Sequence, residues 1–478
     1  MHRLLSVVFV SVALAQDLIV DLPDGTIRGS EITYQNKSYY GYRGIPFATP
    51  PLGKLRFQGP VPPKPWDGIL EANETQSCCI SMSPNDQMSE DCLYLNVYTP
   101  ARKASTNGSV WMSYRVSHCC DIIEKLPVML WIYGGGFTIG CTSDVTTGPF
   151  SLLDEDVIIV YANYRLGLYG FLSTQDDVVL GNAGLKDQLL AMKWTKNNIA
   201  LFGGDPEKIT LFGESAGGIS VGAHIVNTKS AGLYRAAICQ SGCSLTYLDI
   251  TNQNDSRKAA YDYAKYLDPT ISDKNSTTEI RDFLQSLPAD VLTPAFAANT
   301  RTGIAIEVEH EDAYVTSLSF SLLESGNFNQ VPLIIGTTSA ESLNTFAVQG
   351  GVPAVKAEAA KFDSDLTAII PSDLLLLVGT NATDVGSIIK DAYVGPNGSF
   401  SENLAAVVEI TSDLMFVKST LKQVELQSNV TPVYLYQFSF AGFLSNLLPV
   451  IEGTPHPTQL ILCSTSRGRK LHRPVSSI

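Results

Sequence analysis

The stretch "KITLFGESAGGISVGAHIV" (208–226) decides the fold. It begins with the apolar run "ITLF", which is typical of a buried strand, and continues into small residues that favour a helix. Between them lies "GESAG" (213–217), a G-x-S-x-G motif in the strand–turn–helix setting that gives this motif its meaning. The glycines leave room for a sharp turn that presents the Ser215 hydroxyl at a helix N-terminus. The pattern predicts Ser215 as a nucleophile, and an ordinary turn serine is the alternative.

Apolar runs of the same character recur along the chain and alternate with helical patterns. We interpret six of them as buried strands: 126–133, 156–164, 208–215, 234–242, 331–338 and 432–440. The segment 184–202 has Leu185, Leu189, Met192 and Ile199 near helical spacing. This alternation implies right-handed crossovers, and it predicts one large α/β domain with a mostly parallel central sheet and helices on both faces.

Composition and the N-terminus restrict the functional class. The 478 residues are 45% hydrophobic, as in packed globular proteins, and the net charge of −14 argues against nucleic-acid binding, which needs a basic face. Residues 1–15 combine Arg3, an apolar run and a small-residue pattern at Ala13 and Ala15, which predicts a cleaved signal peptide. No later segment has the length and apolarity of a membrane span. We therefore expect a secreted protein, or one in the lumen of the secretory pathway.

Sequons and cysteines fit that compartment. Eight N-x-S/T sequons are candidate glycosylation sites: Asn36, Asn73, Asn107, Asn254, Asn275, Asn381, Asn397 and Asn429. The nine cysteines are an odd number, so at least one of them has no partner within the chain. The histidines are too scattered for a zinc site, and no metal site is predicted. Cys239 lies in the apolar run "RAAICQSG" and is interpreted as a small core residue.

A serine nucleophile needs hydrogen-bond donors for the negative charge that develops on the attacked carbonyl oxygen. "IYGGGFTIG" (132–140) places three glycines directly after a predicted strand, which is the position of the HGGG-type oxyanion loop. Without side chains, these residues let backbone N–H groups turn toward one oxygen. We predict an oxyanion hole formed by the N–H groups of Gly135, Gly136 and Ala216. A flexible glycine turn is the alternative.

Longer motifs carry a specific resemblance. Five of them resemble the type B carboxylesterase/cholinesterase family: "EDCLYLNVYTP" (90–100), "WIYGGGF" (131–137), "NYRLGLYGFLS" (163–173), "GNAGLKDQLLAMKWTKNNIALFGGDPEKITLFGESAGG" (181–218) and "CQSG" (239–242). The similarity runs from about Gly25 to about Leu460. It implies an α/β-hydrolase fold, an exported glycoprotein, and a Ser–Glu–His triad that hydrolyses a small-molecule ester through an acyl-enzyme. No cofactor is implied.

The acid is expected after the serine in this fold. Glu341 comes just after the predicted strand 331–338 and resembles the acid loop of the family. A surface glutamate near a helix start is the alternative. Three other candidates lack a preceding buried strand: Asp312, Asp363 and Asp365.

The base is selected by exclusion among six histidines. Five lie in the leader, before the acid, along the helix that follows Ser215, or in the polar tail: His2, His118, His224, His310 and His472. His456 remains, in a loop after the predicted strand 432–440, and "GTPH" resembles the G-x-x-H of the family. His456 is therefore predicted as the general base, with an inert loop histidine as the alternative.

The sequence departs from the family in three ways. We expect a domain over 16–460 followed by an atypical tail over 461–478, with the usual C-terminal elements of the fold missing. The base would then be held less securely, and weak or absent esterase activity is expected. Residues 110–123 are interpreted as an atypical insertion. Met82 stands where cholinesterases carry a choline-binding tryptophan, which favours a general carboxylesterase over an acetylcholinesterase.

Two alternatives to an active enzyme stay open. Relatives of the family include non-catalytic adhesion proteins such as neuroligins, although the retained Ser215 argues against that class; the other alternative is an inactive truncated gene product. The resemblance also implies a disulfide that ends at Cys92, with either Cys78 or Cys79 as its partner. Neither the ester substrate nor the oligomeric state follows from the sequence.

Overall fold

The computed structural model describes most of the chain. The described residues are 18–82, 87–101, 125–142, 148–246, 253–298, 303–370 and 381–440. Five predicted features lie outside them: the signal peptide 1–15, the sequon at Asn107, the insertion 110–123, the base His456 and the tail 461–478. Within the described ranges, no helix is long and apolar enough to cross a membrane.

A large sheet forms the centre of the molecule. The strands of the described residues are, in chain order, β1 (Ile19–Leu22), β2 (Gly25–Arg28), β3 (Ser30–Tyr34), β4 (Lys37–Pro46), β5 (Ile69–Glu71), β6 (Cys78–Cys79), β7 (Met88–Ser89), β8 (Tyr94–Pro100), β9 (Leu126–Ile132), β10 (Ile158–Ala162), β11 (Gly204–Glu214), β12 (Ala236–Gln240), β13 (Leu333–Thr338) and β14 (Val433–Phe438). Nine of them form the central sheet, in the order β14-β13-β12-β11-β9-β10-β8-β4-β3. From β14 to β10 all neighbours are parallel, whereas β8, β4 and β3 pair antiparallel.

Helices connect these strands and cover the sheet. They are, in chain order, α1 (Phe150–Leu153), α2 (Gly167–Phe171), α3 (Ala183–Asn198), α4 (Ala216–Ile225), α5 (Gln253–Leu267), α6 (Thr277–Ser286), α7 (Ala289–Ala298), α8 (Ser319–Glu324), α9 (Leu343–Val348), α10 (Val352–Ser364), α11 (Ala382–Val394), α12 (Leu404–Ser412) and α13 (Lys418–Ser428). Every residue of β10 is buried, so both faces of the sheet are covered at its centre.

The predicted α/β-hydrolase architecture is confirmed. All six predicted strands are present, as β9 to β14, and the predicted helix 184–202 is α3 followed by a 3-10 turn at Ile199–Phe202. The antiparallel strands β3, β4 and β8 were not predicted. Polar residues interrupt the apolar pattern of β3, which is largely exposed at the edge of the sheet, and lysine and glycine interrupt that of β4. In β8, which is mostly buried, asparagine and threonine break the apolar run.

One strand departs from the prediction. The segment 432–440 was expected to be a buried strand, but Tyr434 and Leu435 of β14 are 63% and 47% exposed. The cause is position: β14 is the last strand of the sheet within the described residues and pairs there only with β13. An apolar pattern identifies a strand but does not tell whether the strand has a neighbour on each side.

Helix α3 is buried on most of its surface, including three consecutive polar residues: Lys186, Asp187 and Gln188. Each is bonded to a different part of the chain. The Asp187 carboxylate accepts two bonds from the Arg165 guanidinium, at 2.7 and 2.8 Å, and Lys186 Nζ lies 2.6 Å from a Glu307 carboxylate oxygen. Buried charges are tolerated when they are paired in this way. The helix therefore packs through specific polar bonds as well as apolar contacts.

Candidate active site

Ser215 lies at a sharp turn between β11 and α4. Its backbone angles, φ 57° and ψ −126°, are rare for a residue with a side chain. Two backbone bonds hold this conformation: the Ser215 N–H donates to the Gln240 carbonyl at 2.9 Å, and the Ser215 carbonyl accepts from Ile219 N–H at 2.9 Å. Ser215 is half-buried, whereas Glu214 and Ala216 on either side are buried. The turn therefore presents the serine toward solvent, as the G-x-S-x-G motif predicts.

The glycine loop after β9 lies against this turn. A Cβ atom at Gly134 would lie 2.9 Å from the Cβ of Ser215, so only glycine permits this close approach. Gly135 has φ +107°, a conformation that residues with side chains rarely adopt, and Gly136 is exposed with φ +59°. Ala216 is the first residue of α4, where the helix leaves its N–H groups without intrahelical partners. The structure thus brings the predicted oxyanion loop to the N-terminus of α4, beside Ser215.

Two disulfides flank the glycine loop. Of the two partners left open for Cys92, the structure joins it to Cys79. Cys78 is joined to Cys141, directly after the loop, and this second bridge was not predicted. The backbone N–H of Met82 also donates to the Thr138 carbonyl within the loop, at 2.9 Å. The segment around Cys78 therefore fixes the far end of the glycine loop.

We expect non-reducing peptide mapping to find Cys78 linked to Cys141 and Cys79 linked to Cys92. The bridges span 63 and 13 residues. In the chain-entropy model, such spans stabilise the folded state by about 4 and about 3 kcal/mol. The Cys78→Ser/Cys141→Ser pair should therefore lower the denaturant midpoint more than the Cys79→Ser/Cys92→Ser pair. Detection of a Cys78–Cys92 peptide would contradict the assignment.

Glu341 follows β13 and is only 1% exposed. One of its carboxylate oxygens accepts two hydrogen bonds of 2.6 Å, from the Ser241 hydroxyl and from the Thr338 N–H. Ser241 directly follows β12, which lies between β11 and β13 in the sheet. The carboxyl ends of parallel strands meet at one edge, so Ser215, Ser241 and Glu341 share the same edge of the sheet.

Ser241 was not singled out from the sequence. The only signal was its place in the "CQSG" motif, where its role was not apparent. The structure gives it one: its hydroxyl orients the buried Glu341 carboxylate. Buried polar groups need such partners because an unpaired one is costly.

The rejected acids have other structural surroundings. Asp363 accepts backbone bonds from Phe400 and Ser401, at 2.8 and 2.9 Å, and Asp365 accepts one from Thr367 at 2.9 Å. Asp312 is exposed on the surface. These carboxylates bond to backbone groups away from Ser215 or face solvent, in agreement with their exclusion.

Two of the excluded histidines fall within the described residues. His224 is completely buried near the end of α4, and desolvation lowers its pKa from 6.5 to about 3. It bonds to Gln188 and Tyr314. His310 lies 3.7 Å from the Glu307 carboxylate. These partners of the two histidines are residues other than Ser215 and Glu341, in agreement with their exclusion.

Cys239 and Cys243 are fully buried thiols. Burial raises the pKa of both, so they stay protonated and unreactive near neutral pH. The interpretation of Cys239 as a core residue is confirmed.

Most candidate glycosylation sites lie on the surface. Five of the asparagines are exposed: Asn36, Asn73, Asn381, Asn397 and Asn429. Asn275 is half-buried, and Asn254 is in α5. The exposed positions are sterically open to a glycan, which remains a prediction for each of them.

Comparisons with known proteins find similar sequences and a similar fold. The model of the carboxylesterase family matches residues 16–466. A carboxylic ester hydrolase of Bombus ignitus is 35% identical over 442 residues, covering 88% of this chain and 74% of that protein. Juvenile hormone esterase of Tribolium castaneum is 31% identical over 446 residues, covering 87% and 72%. Among solved structures, juvenile hormone esterase from Manduca sexta, with OTFP covalently attached, has a TM-score of 0.75 at 28% identity, covering 92% of this chain and 82% of that one.

Proposed function

We propose, from the premise that this chain belongs to the carboxylesterase family, that Ser215, Glu341 and His456 form its catalytic triad. The chain is a carboxylic ester hydrolase by its family and its relatives. The observation that carries the triad is the shared edge of the sheet. There the strained turn at Ser215 and the buried, hydrogen-bonded Glu341 are separated by one strand only.

The reaction begins with a proton transfer. Neutral His456 takes the proton of the Ser215 hydroxyl while the serine oxygen attacks the ester carbonyl. Glu341 orients the imidazole and stabilises its positive charge. The tetrahedral intermediate places its negative oxygen between the N–H groups of Gly135, Gly136 and Ala216. The imidazolium then protonates the departing alcohol, and water hydrolyses the acyl-enzyme through the same groups. This cycle uses protein groups and water alone.

The path of the chain supports His456 as the base. Strand β14 runs parallel to β13, with Phe438 opposite Thr338, and the Ser339 N–H donates to the Phe438 carbonyl at 3.0 Å. The chain therefore leaves β14 at the edge where Glu341 lies. His456 follows in the segment that starts there.

The cellular setting is also proposed. A signal peptide over 1–15, exposed sequons and two disulfides suit an exported glycoprotein whose esterase domain covers 16–460. Small-molecule esters are the substrate class. Release of the mature protein into the culture medium, with an N-terminus at Gln16, is the expected observation.

The nucleophile is tested by covalent labelling. We expect diisopropyl fluorophosphate to inactivate the protein and to modify one residue, Ser215. Mass spectrometry should place the adduct in the peptide that contains "GESAGG". An adduct on another serine, with Ser215 unmodified, would remove this residue from the triad. Absence of any adduct on the folded protein would favour the two non-catalytic alternatives, an adhesion-type protein and an inactive truncated gene product.

A further inference from the structure

The nucleophile helix α4 is tied to α3 by a row of buried polar side chains. The Ser220 hydroxyl donates to the Ala216 carbonyl at 2.9 Å and accepts from the Gln188 amide nitrogen at 3.1 Å. The amide oxygen of Gln188 lies 2.8 Å from Nε2 of His224, whose Nδ1 lies 2.5 Å from the Tyr314 hydroxyl. None of these four side chains belongs to a residue more than 4% exposed. The row ends on Ala216, the residue beside the nucleophile.

A single arrangement of protons satisfies every member of this row. Ser220 donates its only hydroxyl proton to the Ala216 carbonyl, so its oxygen accepts from the Gln188 amide. The Gln188 oxygen then needs a proton on Nε2 of His224, which leaves Nδ1 to accept from Tyr314. This requires a neutral imidazole, in agreement with burial, which lowers the pKa of His224 to about 3. All the bonds therefore point from Tyr314 toward Ala216.

The end of the row at Tyr314 is also bonded to α3. The backbone N–H of Tyr314 donates to a Glu307 carboxylate oxygen at 2.9 Å. That carboxylate also accepts from Lys186 at 2.6 Å and from Asn182, next to the start of α3, at 2.7 Å. The row is thus bonded to α3 directly at Gln188 and again through Glu307. A shift of α4 would therefore break several buried bonds at once.

We propose that Ser220 and Gln188 are positioning residues for Ala216, and through it for the oxyanion hole. This inference rests on the proposed function, in which the Ala216 N–H is an oxyanion donor. Such a donor is effective about 2.7–3.1 Å from the developing oxyanion. The Ser220 hydroxyl adds a bond to the carbonyl of the first helical turn, a type of contact that bends helices locally. The bond restrains the peptide group that carries the Ala216 carbonyl, and this group shares the Cα of Ala216 with the peptide group of the proposed oxyanion donor.

The chain offers a matched control in Thr195 of α3. This residue is fully buried, and its hydroxyl donates at 2.8 Å to Ala191, four residues earlier, as Ser220 does to Ala216. Ser220→Ala and Thr195→Val each delete one buried hydroxyl with the same local bond, but only the first lies next to Ser215. We expect Ser220→Ala to lower kcat for p-nitrophenyl acetate by roughly 10- to 100-fold at unchanged KM. Thr195→Val should keep kcat within about twofold of the wild type.

The pairing with Gln188 is tested by a second variant. Gln188→Met keeps the length of the side chain and removes its amide. It should lower kcat in the same way, and the double variant should lose less than the product of the two single losses, because both act through one row. The rate of Ser215 labelling by diisopropyl fluorophosphate should fall in parallel. The labelling rate can be measured even for a variant whose turnover is too slow to assay.

The outcomes separate this inference from the function on which it rests. If the wild type is labelled at Ser215 and Ser220→Ala keeps the wild-type kcat and labelling rate, the positioning role is wrong and the triad stands. Equal losses in Ser220→Ala and Thr195→Val would also overturn it, because a general loss of stability would then suffice. Labelling of the wild type on another serine would overturn both proposals.

Discussion

Replacing Ser215 by alanine should remove ester hydrolysis almost completely. The substitution deletes the atom that forms the acyl-enzyme, and loss of a triad member costs on the order of 10⁴-fold or more in kcat. Some rate above that of water should persist, because the oxyanion donors are retained. Stopped-time assays with p-nitrophenyl butyrate measure the loss, and diisopropyl fluorophosphate should no longer label the "GESAGG" peptide.

The fold of this variant should be intact. The turn is held by backbone bonds of Ser215 to Gln240 and Ile219, which alanine also makes. Its Tm is therefore expected within a few degrees of the wild type. The exposed Ser325 at the end of α8 provides a control, since Ser325→Ala should keep the activity of the wild type. Hydrolysis by Ser215→Ala at more than a tenth of the wild-type rate would show that another group is the nucleophile.

The strands and the turn could be predicted because their signals are local. Strand β11, Ser215 and α4 come from one continuous stretch, and the apolar runs of the other parallel strands are short and strongly bounded. Glu341 could be predicted for a related reason: it follows a recognisable strand in the order that the fold requires. In each case the decisive residues are neighbours in the sequence.

The features that were missed depend on residues far apart in the chain. The partner of Cys78 lies 63 residues away, and nothing in the intervening sequence specifies the pairing. Gln188 and Tyr314 meet His224 from separations of 36 and 90 residues. A glutamine on a helix is normally expected to face solvent, and only the packing of α3 against α4 shows that this one is buried.

The exposed β14 shows the same limit for a strand. Its pattern, "VYLYQF", is as apolar as that of an interior strand, and the sequence gives no sign that Tyr434 and Leu435 lie open to solvent in the described structure. Whether a strand is interior or terminal depends on what packs beside it. That property belongs to the sheet and not to the segment.

Replacing His456 by alanine should reduce kcat/KM by roughly 10⁴-fold or more, and for a different reason from Ser215→Ala. The nucleophile remains, but its hydroxyl has no base to take the proton and no acid to protonate the leaving alcohol. In the wild type, kcat/KM should rise tenfold per pH unit below the pKa of the base and level off above it. The pH profile of His456→Ala should lack this rise.

The identity of the histidine can be tested against the others in the chain. Added imidazole should restore part of the activity of His456→Ala, because it supplies the missing base in the space left by the side chain, and it should restore nothing to Ser215→Ala. His472→Ala and His310→Ala are the matched controls and should keep the wild-type pH profile. His224 titrates too low to produce a limb near neutrality, since burial holds its pKa at about 3. A wild-type profile in His456→Ala would therefore assign the base to a residue other than the one that chain order and the path of β14 select.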